Sequence, residues 1–295
     1  MTSIVIPAHN EEQVIGRLLD ALTAGAKPAD GPGEFDIVVV CNGCTDATAR
    51  EAARPGVTVV EIPVPSKHAA LRAGDEHARG YPRLYVDADV VIDAAGVRVL
   101  ADAVDPAAGV PAAAPGRDLP LAGCAWRVRA YYRVWQLLPA VREGLFGRGV
   151  IALSEAGHAR IADLPPLMAD DLAASLAFGP HERRVVEEAR VTVLPPRTWA
   201  DLIRRRVRAD TSSHQLERHQ AATPAESGAA AEPSAPPSAR TSTADLRTLL
   251  LGRPWLLPHM AVFLAAAVIA RRRSRRAVES GDFGTWQRDE SSRTG

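Results

Sequence analysis

Two aspartates stand one residue apart in the otherwise mostly apolar segment Leu84 to Ile92 (LYVDADVVI). Carboxylates as close in sequence as Asp87 and Asp89 repel each other unless a positive charge lies between them. A hard divalent cation such as Mg²⁺ or Mn²⁺ meets this need, and it usually completes its coordination with water and substrate phosphates. The pair therefore predicts a metal site for a phosphorylated substrate. The alternative interpretation is that one aspartate caps the following turn while the other is solvated.

The elements that must position this pair follow from two alternating hydrophobic periods. Apolar, β-branched runs predict strands over residues 3–8, 35–41, 57–62 and 83–86. Amphipathic stretches predict a helix after each strand, the first of them capped by Asn10. Successive βα units indicate the α/β class, with a mostly parallel sheet between two layers of helices. Ligands of such sheets bind beyond the carboxyl ends of the strands.

Several motifs follow these strand ends in a fixed order. The first strand ends in Pro7-Ala-His-Asn-Glu11, the second in Cys41-Asn-Gly-Cys-Thr-Asp46, and the third is followed by Lys67-x-x-Ala-Leu-x-x-Gly74. Together with Val-Asp-Ala-Asp, these motifs resemble the family 2 glycosyltransferases of the GT-A fold. The resemblance covers residues 3–105 closely and continues more loosely to about residue 215.

The resemblance implies a nucleotide-sugar donor that binds across the strand ends. It also implies that Mg²⁺ or Mn²⁺ bridges the donor diphosphate to Asp87 and Asp89. His9 would stack on the base, and Lys67 would lie near the base or the phosphates. The donor-binding residues that the resemblance implies are Pro7, His9, Asn10, Glu11, Asn42, Lys67 and Asp87.

The chain departs from the family at Cys41 and Asn42, where members commonly carry two acidic residues. An asparagine carbonyl can accept a hydrogen bond from a pyrimidine ring nitrogen, and its amide can donate, so uracil is allowed but not required. The same segment contains Cys41-x-x-Cys44, a spacing that also occurs in zinc and redox sites. No second Cys or His pair accompanies it in the sequence, which favours packing roles for both cysteines.

The predicted catalytic domain, residues 1–215, has a nucleotide-binding half over 1–105 and an acceptor half over 106–215. In the family an acidic pair of the acceptor half supplies the general base, and the resemblance assigns this role to Asp171, with Asp170 before it. A base must take the proton of the acceptor hydroxyl as that oxygen attacks the anomeric carbon. One carboxylate suffices for direct displacement, which inverts the anomeric configuration. The alternative is that the two aspartates are the N-cap and first-turn acids of a helix.

Composition excludes several other classes of protein. The 295 residues carry 35 basic and 35 acidic side chains, so no overall field attracts nucleic acid, and we expect no nucleic-acid partner. Three cysteines, an odd number, cannot form a disulfide framework. Met1 to Ala8 lacks the basic and then apolar pattern of a signal peptide. These features predict a reducing, cytosolic compartment.

The C-terminal part of the chain predicts a contact with membrane. The composition of residues 221–243 predicts a flexible linker. An apolar helix with a basic flank is predicted over 246–276, and a polar tail over 277–295. The uninterrupted apolar run Trp255 to Ala270 is shorter than the about 20 residues that a bilayer core requires. The arginine-rich segment 271–276 suits anionic lipid on the cytoplasmic side. We expect peripheral or monotopic attachment to the cytoplasmic face, with the catalytic domain in the cytosol. The alternative is a helix packed on the catalytic domain.

The sequence as a whole favours a metal-dependent inverting glycosyltransferase whose acceptor hydroxyl belongs to a glycan, a lipid or a small molecule. One alternative is a nucleotidyltransferase on a related scaffold, which would also use paired aspartates but would need a glycine-rich basic turn after the first strand. A second is a non-catalytic nucleotide-sugar-binding membrane adaptor, suggested by the missing acidic residue at Cys41-Asn42. The presence of both acidic pairs argues against the adaptor.

Overall fold

The computed structural model describes residues 1–24, 34–104, 107, 109–162, 164, 170–222 and 242–279. Its strands are β1 (Thr2–Ala8), β2 (Phe35–Asn42), β3 (Val57–Ile62), β4 (Arg83–Val86), β5 (Val90–Val91), β6 (Ala112–Asp118), β7 (Val150–Leu153) and β8 (Arg183–Val193). Its helices are α1 (Ile15–Ala24), α2 (Thr48–Ala52), α3 (Lys67–His77), α4 (Ala94–Ala103), α5 (Trp126–Trp135), α6 (Pro139–Glu143), α7 (Glu155–Ala162), α8 (Asp170–Leu176), α9 (Trp199–Ala222), α10 (Thr243–Gly252) and α11 (Leu257–Glu279), with a 3₁₀ helix, Pro254–Leu256, before α11.

The chain divides into two compact units, each assembled from separate stretches of sequence. The first unit comprises Met1–Pro120, Leu145–Pro166 and Ala177–Leu194, and it contains the whole sheet. The second unit comprises Leu121–Gly144, Leu167–Leu176 and Pro195–Gly295, and its described elements are helices. Residue 215, the predicted end of the catalytic domain, lies inside α9.

The sheet of the first unit has the strand order β3-β2-β1-β4-β7-β6-β8-β5. β1 pairs in parallel with β2 and β4, and β2 pairs in parallel with β3. β4 pairs antiparallel with β7, so the run of parallel strands ends there and the complete sheet is mixed. The α/β class and the four predicted βα units are confirmed. The chain leaves β1 on one side towards β2 and returns on the other side to form β4, which creates a crevice at the carboxyl ends of these strands.

Burial on both faces explains why the predicted strands do not alternate between apolar and polar residues. All eight residues of β2 are buried. Ile37 and Val39 belong to the same core cluster as Leu18 of α1, whereas Val38 and Val40 pack with Ala70 of α3. Helices therefore cover β2 from both sides, as expected for a central parallel strand.

Helix α11 of the second unit packs on α5 and α9 along one face only. The rings of Phe263 and Tyr131 stack with centroids 5.2 Å apart, and Met260 and Ala270 are buried on the same face. The segment predicted as one helix over 246–276 is divided between α10 and α11. The interruption falls at Pro254, which has no N–H to continue a helical ladder.

The stretch Pro254–Arg275 has 22 residues, and an 18-residue window within it has a mean hydropathy of 1.5 and is 28% buried. By length and composition alone this stretch could cross a membrane. The run Trp255 to Ala270 by itself is shorter than a span requires. Most of the predicted linker (223–241) and of the predicted tail (280–295) lies outside the described residues.

Candidate functional site

The two aspartates of the predicted metal site follow directly after β4, at the crevice between β4 and β1. The Asp87 N–H donates to the carbonyl of Gly149 over 2.7 Å, which anchors the turn to the chain just before β7. The side chains of both Asp87 and Asp89 are partly exposed. The Asp87 carboxylate accepts a hydrogen bond from the ammonium of Lys67, with 2.7 Å between Nζ and Oδ1. The structure therefore brings together Asp87 and Lys67, which are 20 residues apart in sequence.

Gly149 is a residue of this site that the sequence reasoning did not single out. Its φ of +67° lies in the left-handed region, and a Cβ atom there would stand 2.5 Å from Val90 Cγ1 and 3.3 Å from Asp87 Oδ2. A side chain at this position would therefore push against the turn that carries the aspartates. The signal in the sequence is Gly147-Arg-Gly149 immediately before a strand.

The donor set fits a magnesium or manganese ion that is completed by a ligand. Among the described residues no group of three or more His, Cys, Asp and Glu side chains could hold a metal ion by itself. Asp87 and Asp89 offer hard carboxylate oxygens, and Mg²⁺ is commonly bound by one or two carboxylates while waters and substrate phosphates supply its other ligands. The pair is therefore suited to a metal that arrives with, or is completed by, a diphosphate.

The loop after β1 is tied to the loop after β2 by a set of hydrogen bonds. Asn10, with a φ of +53°, accepts from the Thr45 N–H through Oδ1 over 2.7 Å. The Glu11 N–H donates to Thr48 Oγ1, also over 2.7 Å. The prediction that Asn10 caps the first helix is wrong, since its positive φ turns its side chain to the neighbouring loop. The Glu11 carbonyl instead accepts from the N–H of Ile15, the first residue of α1.

His9 and Asn42 meet at the carboxyl ends of β1 and β2. His9 Nδ1 lies 2.6 Å from the Asn42 backbone carbonyl, which can only accept, so Nδ1 is the donor in this bond. The Asn42 amide donates to the Ala8 carbonyl over 2.8 Å. This bond orients the amide group, and Oδ1 is the acceptor that its side chain retains for another partner. Pro7 lies buried within β1 and pairs with Val40 of β2.

The two cysteines of the Cys-x-x-Cys segment have packing and backbone contacts. Cys41 is buried in the sheet core, and this burial raises the pKa of its thiol to about 12, which keeps it protonated and unreactive. Cys44 donates from Sγ to the Ala8 carbonyl over 3.4 Å. Both observations favour the packing interpretation over a zinc or redox site.

The predicted acidic pair of the acceptor half lies in the second unit. Helix α8 begins at Asp170, which agrees with the predicted helix start. Asp171 is exposed and accepts a hydrogen bond from the Leu172 N–H over 2.8 Å. This contact is one that a first-turn acid makes, and it is compatible with a second role for the carboxylate. The assignment of Asp171 as general base stays a prediction.

Known proteins resemble the part of the chain that contains this site. Residues 3–130 match the family model described as Glycosyl transferase family 2. The chain is 33% identical over 139 residues to an uncharacterized glycosyltransferase of Mycobacterium tuberculosis, a match that covers 46% of this chain and 58% of the relative. It is 37% identical over 94 residues to the 4,4'-diaponeurosporenoate glycosyltransferase of Staphylococcus aureus, covering 30% of this chain and 24% of that one. The chain thus spans little more than half the length of the first relative.

A solved structure shares the fold over nearly the whole chain. The mannosyltransferase PcManGT of Pyrobaculum calidifontis, solved with GDP-Man and Mn²⁺, aligns with a TM-score of 0.57 at 21% identity. The alignment covers 96% of this chain and 81% of that one, and at this identity the likeness concerns the fold. The matched segment contains β1 to β4, Lys67 and both strand-end aspartates. Residues 3–130 of this chain therefore resemble the family 2 glycosyltransferases in sequence, and the chain shares the fold of the Pyrobaculum mannosyltransferase.

Proposed function

We propose that the protein is an inverting glycosyltransferase that moves a sugar from a nucleotide-sugar donor to an acceptor hydroxyl with the help of Mg²⁺ or Mn²⁺. One observation carries the proposal: several polar groups line the crevice at the β1–β4 switch point, within the segment that matches the family. They are the Asp87–Lys67 ion pair, Asp89, and the hydrogen-bonded loops after β1 and β2. Carboxylates and an ammonium at one strand edge suit a metal-bound diphosphate.

Asp87 and Asp89 would hold the metal, which would supply positive charge to neutralise the diphosphate as it leaves. The Lys67 ammonium, already at this edge, is the protein's own cation for the same phosphates. The solved Pyrobaculum mannosyltransferase binds GDP-Man and Mn²⁺, which supports this combination of ligands for the shared fold.

The hydrogen-bonding groups at the ends of β1 and β2 favour bases with a ring N–H. Asn42 donates its amide to Ala8, so its Oδ1 can accept from a ligand as a carboxylate would. Uracil and guanine carry such an N–H, whereas cytosine and adenine present an unprotonated ring nitrogen in the corresponding position. We therefore expect a uridine or guanosine diphosphate sugar as the donor, with His9 stacked on the base.

Asp171 would act as the general base, with Asp170 beside it at the start of α8. In this step the carboxylate takes the proton of the acceptor hydroxyl, the hydroxyl oxygen forms a bond to the anomeric carbon, and the bond from that carbon to the diphosphate oxygen breaks. Attack from the face opposite the leaving group inverts the configuration. The products are the glycoside and a nucleoside diphosphate.

The second unit supports attachment to a membrane surface rather than a span across it. Helix α11 buries one face, including Phe263 and the fully buried Ser274, within its own unit. Its other face exposes Leu264 and Val268, and Trp255 is exposed just before the helix. Arginines 271–273 are exposed where this apolar face ends, a pattern typical of helices that lie in the headgroup region of anionic lipid. A peripheral or monotopic position on the cytoplasmic face gives the donor site access to cytosolic nucleotide sugars.

Release of nucleoside diphosphate from a panel of donors, with and without Mn²⁺, tests the proposal. We expect metal-dependent release from a UDP- or GDP-sugar, increased by membrane lipid or glycan extracts that contain an acceptor. A nucleotidyltransferase would instead release pyrophosphate from a nucleoside triphosphate and a sugar phosphate. Donor binding without any turnover across acceptor extracts would support the adaptor and overturn the proposal.

A further inference from the structure

The ion pair between Lys67 and Asp87 occupies a carboxylate that the proposed metal site requires. The Lys67 ammonium lies 2.7 Å from Asp87 Oδ1, and the two side chains are 29% and 37% exposed. Lys67 is the first residue of α3, and Ser66 fixes this helix start by accepting from the Ala69 N–H over 3.2 Å. The lysine therefore reaches Asp87 from a well-anchored backbone position, and its own flexible side chain is the part that can move.

The choice of lysine at this position is informative because the chain hardly uses it. Lys27 and Lys67 are its only lysines, and arginine supplies every other basic side chain among the 35. An arginine could grip a carboxylate with two parallel hydrogen bonds, whereas a lysine is a point charge on a flexible stem. Lysine therefore makes the partner of Asp87 easier to exchange, and its ammonium binds phosphate oxygens as readily as carboxylate oxygens.

We propose that Lys67 is an exchangeable internal counter-ion of Asp87. Without ligand, Lys67 neutralises Asp87 and so weakens the binding of a divalent cation to the aspartate pair. When a nucleoside diphosphate binds, Lys67 transfers its hydrogen bond from Asp87 to a phosphate oxygen and leaves Asp87 free to act as a metal ligand. The inference deepens the proposed function and rests on it, because it takes Asp87 and Asp89 as the metal-binding pair.

This exchange makes a thermodynamic prediction that does not depend on turnover. Metal and nucleotide bind cooperatively in any such site, because phosphate oxygens are metal ligands. Lys67 increases this cooperativity further. A metal ion that binds alone must compete with the Lys67 ammonium for Asp87, whereas a metal ion that binds together with the nucleotide does not. By linkage the same factor appears in the affinity for the nucleotide when metal is added.

The experiment titrates the full-length protein with Mn²⁺ alone, and then with Mn²⁺ in the presence of saturating UDP or GDP. Free Mn²⁺ is followed by electron paramagnetic resonance, and heats of binding by calorimetry. In Lys67→Met we expect Mn²⁺ alone to bind about three- to fivefold more tightly, the range for a partly exposed ion pair. We expect the coupling between Mn²⁺ and nucleotide to fall by a similar factor. In Lys67→Arg, which can hold Asp87 in two bonds, Mn²⁺ alone should bind more weakly than in the wild type.

Two controls separate this inference from its alternatives. Arg72→Met removes an exposed positive charge from the same helix, so an equal gain in Mn²⁺ affinity there would mean a general charge effect and would overturn the inference. Asp87→Asn should lose Mn²⁺ binding. Unchanged Mn²⁺ affinity in Lys67→Met together with loss in Asp87→Asn overturns the counter-ion role alone. Unchanged Mn²⁺ binding in Asp87→Asn overturns the metal site of the proposed function as well.

Discussion

The strand-end region of the first unit and helix α11 of the second differ in the kind of surface that they offer to a binding partner. At the strand ends the polar groups are already bonded to protein atoms: Asn10 to Thr45, Asn42 to Ala8, and Lys67 to Asp87. Helix α11 shows the opposite pattern, because Leu264 and Val268 remain exposed although the helix buries its other face. The first region is organised for a polar ligand that replaces or extends existing bonds. The second gains free energy when its exposed apolar area is covered.

The largest effect is expected from a substitution that disrupts the strand-end region and leaves helix α11 intact. Asp89→Ala removes one of the two proposed metal ligands, and we expect sugar transfer to fall about 10⁴-fold, since the charge stabilisation that a metal supplies is worth several kcal/mol. Nucleoside diphosphate release measures the loss. Binding to anionic vesicles should not change, and a variant with near-native transfer would contradict the metal site.

The second prediction concerns the proposed general base. Asp171→Asn should reduce transfer about 10³-fold while donor affinity persists, because the amide cannot accept the acceptor proton. Single-turnover rates and donor binding by calorimetry separate the two quantities. If the asparagine variant keeps its turnover, Asp171 serves only the start of α8.

The third prediction tests the apolar face of α11. Replacing both Leu264 and Val268 by Asp should weaken binding to anionic vesicles at least tenfold, because burying each aliphatic side chain contributes about 1.5 to 3 kcal/mol. Vesicle sedimentation measures the affinity. The matched control is Val64→Asp, since Val64 is 59% exposed and lies in the first unit. Recovery of the wild-type protein entirely free of vesicles would favour a helix that only packs on the protein.

The next prediction tests how closely Gly149, just before β7, packs against the turn that carries the aspartates. Gly149→Ala and Gly56→Ala both place a side chain at positive φ, but only at Gly149 would the Cβ meet neighbouring atoms. We expect about 1 kcal/mol of lost unfolding free energy at Gly56, from backbone strain, and about 2 kcal/mol more at Gly149, from overpacking. Urea unfolding of the two variants gives the difference. Equal losses would show that the contact with Val90 and Asp87 yields without cost.

The smallest expected effect concerns Asp75, which lies near the start of β4, at the end of the strand opposite the crevice. Burial raises the pKa of Asp75, but hydrogen bonds from His158 and Tyr85 together with the charge of Arg83 outweigh it, and the pKa is lowered from 3.8. A lowered pKa means that this carboxylate stabilises the fold above about pH 4 and loses that contribution as the pH falls through its folded value.

Asp75→Asn should therefore cost about 1 kcal/mol of unfolding free energy at pH 7, with a difference from wild type that narrows as the pH falls from about 5 to 3. Denaturant unfolding across this range measures it. A difference that stays constant with pH would mean that the ionised carboxylate has no special role at this end of the sheet.

Much of the first unit was predictable because its signals are local. β-branched runs and residues such as Ser66 and Asp93, whose side chains accept from helix N–H groups, specify elements within a few residues of themselves. Asp87 and Asp89 could be singled out because two carboxylates stand one residue apart in a mostly apolar run, and their role as metal ligands stays a prediction. The misassigned cap at Asn10 shows the limit, since its partner Thr45 lies 35 residues away.

The amino-acid sequence by itself determined the α/β class, the four βα units up to α4, and the polar residue types at the strand ends. Only the tertiary structure decided that Lys67 pairs with Asp87, that Gly149 must lack a side chain, and that one face of α11 is buried. It also decided that each compact unit draws on separate stretches of the chain. The physical reason is the range of the interactions: hydrophobic period and capping act over one or two turns, whereas ion pairs, close backbone approach and packing join residues that only the complete fold brings together.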